Sequence, residues 1–251
     1  MSDEELIRDK GGLQQFYDDP KVVGTYLKRK ESPIGAVLHA RQVEFINGVI
    51  RELKPRRLLE IAPGPARISA ELDPVPLAVA MDFSPNMLTE ARRRTREMGR
   101  PHWQFARGDG FRLPFQTASV DLVFTIRFIR RFEREGRDKI YREIHRVLRP
   151  GGHLVLDAQN RLVAGPHRAA RRGYNVFDEL WLRDELVAEL DAAGFAPLRL
   201  EGMIRRFALQ WQLHRLRRFR LGGPAQLLIR ALEWTPADNP STWMVLAQAK
   251  R

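Results

Sequence analysis

The sequence predicts an α/β fold, with a parallel sheet covered by helices on both faces. Two observations predict this class. Short apolar runs alternate with longer segments of helical periodicity, which is the pattern of βαβ units. The run at 57–61 leads into a turn of small residues, and the run at 77–81 is followed by Asp82. An acid about 20 residues beyond such a turn is typical of a nucleotide-binding βαβ unit.

Apolar runs and helical periodicity set the order of the elements. Strands are predicted at 57–61, 77–81, 102–106, 120–124 and 152–157, and two further strands at 195–203 and 241–249. Helices are predicted at 65–72, 85–98, 134–148 and 178–193. Ser84 and Pro85 suit the cap and the first position of the second of these helices. Ligands in such sheets bind beyond the carboxyl ends of the strands.

The first 54 residues are predicted to be helical. Apolar side chains recur at helical spacing between Leu38 and Leu53, and Pro55 ends the pattern. We expect the segment 1–54 to form a lid over the binding edge of the sheet.

The composition excludes several classes of protein. The chain has 251 residues, enough for one domain with a sizeable core. It contains no cysteine, which excludes disulfides, thiolate metal sites and a cysteine nucleophile. The N-terminus lacks the apolar segment of a secretory signal, and no apolar run approaches the ~20 residues that span a bilayer. We therefore expect a cytoplasmic protein, with peripheral membrane contact as an open alternative.

The turn after the first strand restricts the ligand. Its small residues are Ala62, Gly64 and Ala66, separated by Pro63 and Pro65. Binding of a pyrophosphate needs several free N–H groups and a very close approach of the backbone, and proline removes donors. A turn with one glycine and two prolines therefore argues against NAD and FAD.

This turn resembles motif I of the class I S-adenosylmethionine (SAM)-dependent methyltransferases, and five later stretches resemble that family in the same order. They are 82–88 (strand-2 acid and Ser-Pro helix start), 108–115 (strand-3 exit), 119–125 (strand 4), 146–156 (Pro-Gly-Gly passage) and 190–195 (last helix). The matches cover about residues 55 to 202. Taken together, the motifs are most similar to those of the ubiquinone/menaquinone C-methyltransferase-like branch. This similarity does not identify a substrate.

The resemblance implies a Rossmann-like sheet of seven strands, the last antiparallel, with SAM as the cofactor. It implies that Glu60 serves the methionine end of SAM, that Asp82 binds the ribose hydroxyls, and that Asp109 contacts the adenine amino group. The full set of expected cofactor-binding residues is Glu60, Ala62, Gly64, Asp82, Phe83, Asp109, Gly110 and Thr125. A helix-capping acid is the alternative interpretation of Asp82, and ordinary turn chemistry that of Asp109.

No catalytic acid–base pair stands out, and methyl transfer from a sulfonium needs mainly alignment and desolvation. Catechol-type enzymes hold Mg²⁺ with an acid after strand 4 and an Asp-Asn pair after strand 5. Here Arg127 lies in the region after strand 4, and the segment 157–160 reads Asp-Ala-Gln-Asn, so its Asp and Asn are not adjacent. We therefore predict no metal. Arg127 or Arg130 is expected either to bind an acidic substrate or to pair with a core acid.

The net charge of +12 is concentrated in two stretches. Seven arginines and no acid lie between Glu201 and Glu233, and four arginines lie between Asp157 and Asp178. We expect a single domain with a lid (1–54), a SAM-binding core (55–204), a basic helical insert (205–240) and a final strand (241–251). The insert is expected to hold two helices broken at Gly222-Gly223-Pro224. Three interpretations stay open: a docked helix with solvated arginines, an anionic membrane surface, or phosphates of nucleic acid.

These observations lead to a functional hypothesis with two alternatives. The first is a SAM-dependent methyltransferase that acts on a small-molecule or lipid-like acceptor. The second is an RNA methyltransferase, which the charge suggests. The third is a SAM-fold binding protein that has lost activity, which the alanines of the turn suggest.

Overall fold

The computed structural model describes residues 6–26, 32–169, 176–215, 222–235 and 239–250. Seven strands lie in these ranges: β1 (Arg57–Ile61), β2 (Leu77–Asp82), β3 (Trp103–Arg107), β4 (Val120–Thr125), β5 (Leu148–Gln159), β6 (Phe195–Met203) and β7 (Thr242–Ala249). The helices are α1 (Lys10–Asp18), α2 (Pro20–Tyr26), α3 (Pro33–Leu53), α4 (Pro85–Glu97), α5 (Arg134–Val147), α6 (Arg161–Ala169), α7 (Arg183–Ala192), α8 (Phe207–Arg215) and α9 (Gly222–Leu232).

The strands form one sheet in the order β3-β2-β1-β4-β5-β7-β6. The strands from β3 to β5 are parallel, and β7 runs antiparallel to both β5 and β6. The predicted fold class is therefore confirmed. The chain leaves β1 in one direction to β2 and later returns to its other side with β4. This reversal is the switch point at which open α/β sheets bind ligands.

Apolar side chains cover both faces of the sheet. On one face α3 buries Phe45, Ile46, Val49 and Ile50 against the central strands. On the other face α5 buries Ile140, Tyr141, Ile144 and Val147, together with residues of α7. Both series follow the i, i+3/i+4 spacing of an amphipathic helix. The interior strands are therefore covered on both sides, as the continuous apolar runs require.

The helix predicted at 65–72 is wrong. Only a short 3₁₀ turn forms there, at Ser69–Glu71. Gly64 has φ +56° and Ala66 has φ +53°, so the backbone is left-handed where a helix would begin. Because an L-residue rarely adopts this conformation, the sequence carries no local sign of it. The turn after β1 thus presents no helix N-terminus to the switch point.

Two other helices differ from the prediction at their starts. The helix predicted at 178–193 begins at Arg183, because the preceding segment is extended and Trp181 bridges Asn160. The Gly222-Gly223-Pro224 run begins α9 instead of separating the two insert helices. Proline is tolerated in the first turn of a helix, where the N–H group has no partner to lose. The segment 216–221, between α8 and α9, lies outside the described ranges.

Candidate functional site

A cleft of about 750 Å³, including its open mouth, lies at the carboxyl edge of the sheet. Its volume is in the range of small-molecule sites. Of the expected cofactor-binding residues, six line it: Ala62, Gly64, Asp82, Phe83, Asp109 and Gly110. The other two, Glu60 and Thr125, are buried beside it and do not line it. Side chains of α1 and α2 cover the cleft from outside.

The turn after β1 is built from left-handed residues. Ala62, Gly64 and Ala66 have φ values of +56°, +56° and +53°. The N–H group of Ala62 donates to the Met81 carbonyl oxygen over 2.8 Å, which holds the turn to β2. The backbone therefore bends sharply at the mouth of the cleft with small side chains at each bend.

Asp82 joins this turn to the end of β2. Its Oδ2 accepts a hydrogen bond from the Gly64 N–H group over 3.0 Å, and its Oδ1 accepts one from Ser84 N over 3.0 Å. The residue is 5% exposed, and this burial raises its pKa to about 6 against the opposing effect of the backbone N–H donors. Ser84 Oγ in turn caps α4 by accepting from Met87 N over 3.0 Å, as predicted. One carboxylate thus anchors the turn and faces the cleft.

Glu60 supports the turn from below. Its carboxylate accepts a hydrogen bond from Ser69 Oγ, in the 3₁₀ turn that follows the bend. Burial raises the pKa of Glu60 to about 8, although the Ser69 hydrogen bond and the nearby Arg67 guanidinium oppose the shift. A buried acid in this position orders the chain between β1 and the 3₁₀ turn.

A buried polar cluster, which the sequence analysis missed, ties α3 to the same turn. Arg67 Nη2 donates to Gln42 Oε1 over 2.9 Å, and Arg67 Nη1 donates to His39 Nδ1 over 2.8 Å. His39 Nε2 lies 3.0 Å from Glu71 Oε1. Burial lowers the pKa of Arg67 to about 10. The sequence feature that indicates this cluster is Gln42, a polar residue on the apolar face of α3.

Thr125 ends β4 and joins it to β1. Its Oγ1 donates to the Ile61 carbonyl oxygen over 2.8 Å, and the side chain is fully buried. This hydrogen bond ties together the carboxyl ends of the two central strands, on either side of the switch point. Thr125 therefore sets the width of the cleft floor from outside the cleft.

Asp109 follows β3 and faces α1. Its Oδ1 accepts from Phe111 N over 2.9 Å, and its Oδ2 forms an ion pair with Lys10 Nζ at the start of α1. The neighbouring Gly110 packs against an aromatic ring, since an added Cβ would lie 2.5 Å from Phe128 Cζ. The Lys10 contact spans 99 positions of the chain, and no local pattern predicts it.

Arg127 lies in the cleft wall after β4. It has φ +65°, and its N–H group donates to Asp157 Oδ1 over 2.5 Å. Its guanidinium carbon lies 5.5 Å from the ring centroid of Tyr26, within the range of a cation–π contact. The left-handed backbone turns this arginine toward α2.

Arg130 and Arg131 pair with core acids, which is one of the two expected outcomes for Arg130. Arg130 Nε lies 3.0 Å from Asp178 Oδ1 and its Nη1 lies 3.3 Å from Asp157 Oδ2. Arg131 Nη1 lies 2.8 Å from Asp178 Oδ2. All four side chains are buried, so the charges compensate one another in a medium of low polarity.

The N-terminal helices are fastened over the cleft by α4. Ser84 Oγ donates to Asp18 Oδ1 over 2.5 Å, and Asn86 Nδ2 donates to the Asp18 carbonyl oxygen over 2.9 Å. Behind this contact the rings of Tyr17 and Tyr26 meet edge to face at 6.4 Å. The end of α1 is therefore attached to the start of α4, which directly follows Asp82.

The described residues form neither a metal site nor a membrane-spanning helix. No group of three or more His, Asp or Glu side chains is placed to hold a metal ion in the part of the chain that the structure describes. Over the same ranges, no helix is both long enough and apolar enough to cross a membrane.

The cleft suits an adenosyl group. Each oxygen of Asp82 accepts one backbone hydrogen bond and keeps a lone pair for a ribose hydroxyl. Phe83 and Met87 offer apolar walls beside it. A mostly parallel seven-stranded sheet with a reversed β7 is the fold of the class I SAM-dependent methyltransferases.

Comparison with known proteins gives the same class. Residues 59–156 match the family described as "Methyltransferase domain". A malonyl-[acyl-carrier protein] O-methyltransferase of Methylococcus capsulatus is 30% identical over 174 residues, covering 66% of this chain and 62% of that protein. A demethylmenaquinone methyltransferase of Thermus thermophilus is 37% identical over 109 residues, covering 42% and 48%. The chain thus covers less than two thirds of the length of these relatives.

Two solved structures share the fold over nearly the whole chain. Magnesium protoporphyrin IX methyltransferase from Synechocystis, with bound SAH, superposes with a TM-score of 0.69 at 13% identity, covering 96% of this chain and 100% of that one. The [4+2]-cyclase SpnF superposes with a TM-score of 0.66 at 19% identity, covering 98% and 97%. At these identities the likeness concerns the fold alone.

Proposed function

We propose that this protein transfers the methyl group of SAM to a small-molecule or lipid-like acceptor. One observation carries the proposal: the buried carboxylate of Asp82 lies at the end of β2, is held by the Gly64 N–H group, and faces the cleft. A carboxylate so held is ordered before a ligand arrives, which lowers the entropic cost of binding two ribose hydroxyls.

Different residues of the cleft bind different parts of the cofactor. Asp82 takes the ribose, Phe83 flanks the adenine, and Asp109 accepts from the adenine amino group. Ala62 and Gly64 bring the backbone beside the methionine end. Bound SAM supplies a methyl group that is already activated by its sulfonium, so the protein has to align the acceptor and exclude water.

Glu60 and Thr125 are assigned positioning roles in this proposal. Glu60 holds the chain after the turn through Ser69, and Thr125 holds β4 against β1. Neither side chain lines the cleft. Their replacement is expected to affect the shape of the site and not a direct contact with the cofactor.

The acceptor end of the cleft favours an apolar molecule. Phe111, Phe128 and Phe132 line the part of the cleft beyond Gly110. The ring centroid of Phe132 lies 4.9 Å from that of Phe111 and 5.1 Å from that of Phe128. The relatives are named for demethylmenaquinone and for malonyl-[acyl-carrier protein], and both names describe small or lipid-like acceptors. An acceptor with a long apolar tail partitions into bilayers, which would bring the protein to a membrane surface.

Isothermal titration with SAM and with S-adenosylhomocysteine tests the site. We expect Asp82→Ala to weaken binding at least about tenfold, since a charge-assisted hydrogen bond contributes roughly 1.5–3 kcal/mol. Asp191→Ala is the matched control, because that acid is exposed and lies at the end of α7. Equal affinities of Asp82→Ala and the wild type would refute the assignment. Methyl transfer is then assayed with prenylated quinones, fatty acyl compounds and RNA.

A second candidate is a protein that binds SAM without transferring its methyl group. One observation favours it: alanines occupy two of the three left-handed positions of the turn. Tight SAM binding without product from any acceptor would support this candidate. RNA methylation rests on the positive charge alone and requires binding of RNA that weakens steeply with salt.

A further inference from the structure

Exposed apolar side chains concentrate in one region of the molecule. Of the ten large apolar side chains that are exposed among the described residues, six lie on α6, α8 or α9 or directly after α9: Leu162, Leu209, Trp211, Leu227, Leu228 and Trp234. We call these six residues, with Arg215 of α8 and Arg230 of α9, the insert face. Leu227 is 70% exposed and Trp234 is 74% exposed. Apolar patches of this kind mark interaction sites on soluble proteins.

The opposite side of the insert helices is already occupied. Ile229 of α9 and Phe207 of α8 pack with Val37 of α3 and Ile204 at the end of β6. These contacts fix the two helices on the domain and leave Leu209, Leu227 and Leu228 exposed. The insert face therefore lies on two helices whose inner sides pack against the rest of the domain.

The charge of the insert face is positive without local compensation. Glu233 is the first acid after Glu201, and it is buried. Its carboxylate accepts from Ile204 N over 2.9 Å and from Arg205 N over 2.8 Å, so it orders the start of α8 from inside. The described residues of α8 and α9 themselves contain no acid.

The two arginines of the insert face are exposed, and one of them, Arg215, donates to Gln212 Oε1 over 3.5 Å. Arg215 at the end of α8 and Arg230 in α9 are exposed, and no carboxylate among the described residues pairs with either. Long arginine side chains can hold their charge at phosphate level while their methylene groups lie along apolar surface. Arginine beside tryptophan and leucine is the composition of helices that lie in a membrane interface.

The insert face lies at the same edge of the sheet as the cleft. Both α6, after β5, and α8, after β6, leave from carboxyl ends of strands, and β6 runs parallel to β5 because both pair antiparallel with β7. The cleft opens at the carboxyl ends of β1, β2 and β4. A surface that binds the insert face would therefore lie on the side of the molecule where the acceptor enters.

We propose that the insert face docks on an anionic membrane, with α8 and α9 lying along the lipid headgroups. Trp211, Trp234 and the leucines of α9 enter the interface, and the arginines bind lipid phosphates. A nucleic acid is the less favoured partner, because aliphatic side chains such as Leu227 and Leu228 add nothing to phosphate binding or base stacking. The docking surface is separate from the cofactor site, so its failure would leave the proposed methyl transfer untouched.

Flotation of the full chain with vesicles tests this proposal. Vesicles of phosphatidylcholine alone are compared with vesicles that contain phosphatidylglycerol as well. The wild type is expected to partition at least about tenfold more strongly to the anionic vesicles, since each basic residue near an anionic leaflet contributes roughly fivefold. Raising the salt from about 0.1 M to about 1 M shortens the Debye length from ~10 Å to ~3 Å and should weaken this binding. Equal partition to both vesicles, or none to either, would overturn the proposal.

Two paired variants separate charge from apolar contact. Arg215→Glu/Arg230→Glu should abolish the preference for anionic vesicles, and Leu227→Glu/Leu228→Glu should lower partition at least about tenfold. The control Arg96→Glu/Arg183→Glu changes the net charge equally at exposed sites on α4 and α7 and should bind like the wild type. An equal loss of vesicle binding in the control variant would contradict a specific role of the insert face.

Two other results would assign the face to a different partner. The first is a dimer, seen by sedimentation, that Leu227→Glu/Leu228→Glu dissociates in a protein that binds no vesicles. The second is binding of a single-stranded oligonucleotide that Arg215→Glu/Arg230→Glu abolishes, again without vesicle binding. SAM titration of each variant verifies that the domain is folded.

Discussion

Asp82 Oδ2 accepts a hydrogen bond from the backbone N–H group of Gly64 over 3.0 Å, so the acid at the end of β2 and the turn after β1 form one unit. The acid that is proposed to bind the ribose is thus also the group that orders the turn beside it. Cofactor affinity and the conformation of the turn are coupled through this bond.

Glu60 makes the stability of the domain depend on pH. Its pKa is about 8 in the folded protein and near 4.5 when unfolded, so the folded state binds more protons between these values. The free energy of unfolding therefore falls as the pH rises from 4.5 to 8, because ionisation of the buried acid is unfavourable. We expect Glu60→Gln to remove most of this decline, measured by urea unfolding at pH 5 and pH 8. Asp82, with a pKa of about 6, adds a smaller decline below pH 6.

The exposed acid Glu185 provides the control for this pH effect. Its pKa is lowered, because the hydrogen bonds that its carboxylate accepts from Leu182 N and Arg161 outweigh the opposing effect of burial. Glu185→Gln should therefore leave the decline between pH 5 and pH 8 as it is in the wild type. A decline that persists in Glu60→Gln would assign it to another buried group.

The two alanines of the turn should respond in opposite directions to glycine. Left-handed backbone costs an L-residue roughly 1–2 kcal/mol, and glycine in the unfolded chain costs about 0.4–1 kcal/mol. Ala62 is half-buried, so Ala62→Gly should raise the free energy of unfolding by about 0.5 kcal/mol. Ala66 is fully buried against Ala70 and Ala91, and its lost methyl group costs about 0.8 kcal/mol more. Ala66→Gly should therefore destabilise. Chemical denaturation of both variants tests the difference, and changes of equal sign would refute it.

The ion pair of Arg137 and Glu189 should be one of the most sensitive contacts in the domain. Two parallel hydrogen bonds of 2.7 Å join the side chains, which are both buried, and Trp181 Nε1 also donates to Glu189 over 3.1 Å. Glu189→Ala should lower the free energy of unfolding by about 3 kcal/mol, at the lower end of the effect of breaking a buried ion pair, because Arg137 keeps its ion pair with Glu179 over 2.7 Å. Urea unfolding measures the loss.

A surface ion pair offers the comparison. Glu97→Ala removes the exposed partner of Arg93 on α4 and should cost less than about 0.5 kcal/mol. If Glu189→Ala costs no more than Glu97→Ala, the buried network contributes only through packing.

In the proposed site, Lys10 would compete with the adenine amino group for Asp109. Its Nζ forms an ion pair with the carboxylate that the proposed site assigns to the adenine. Lys10→Met should therefore raise the affinity for SAM by about three- to tenfold, since the carboxylate is released without loss of the apolar stem. Titration with SAM measures the change, with Lys21→Met on α2 as the control. Weaker binding by Lys10→Met would mean that Lys10 contacts the cofactor itself.

Much of the framework could be predicted from the sequence. Strand β1 has the predicted bounds, and the ends of β2 and β4 carry Asp82 and Thr125 as expected. The predicted Ser84 cap is present. These features are local: apolar runs, capping residues and proline act within a few positions of themselves, so a single sequence displays them.

The sequence alone thus determined the class of fold, the succession of strands and helices and the acid at the end of β2, because periodicity and spacing are encoded along the chain. Only the tertiary structure decided the left-handed backbone at Ala62 and Ala66, which removed the predicted helix. It also decided that Arg67 is buried under α3 and that Lys10 reaches Asp109. These contacts join residues far apart in sequence, and their energies depend on burial, which no local pattern specifies.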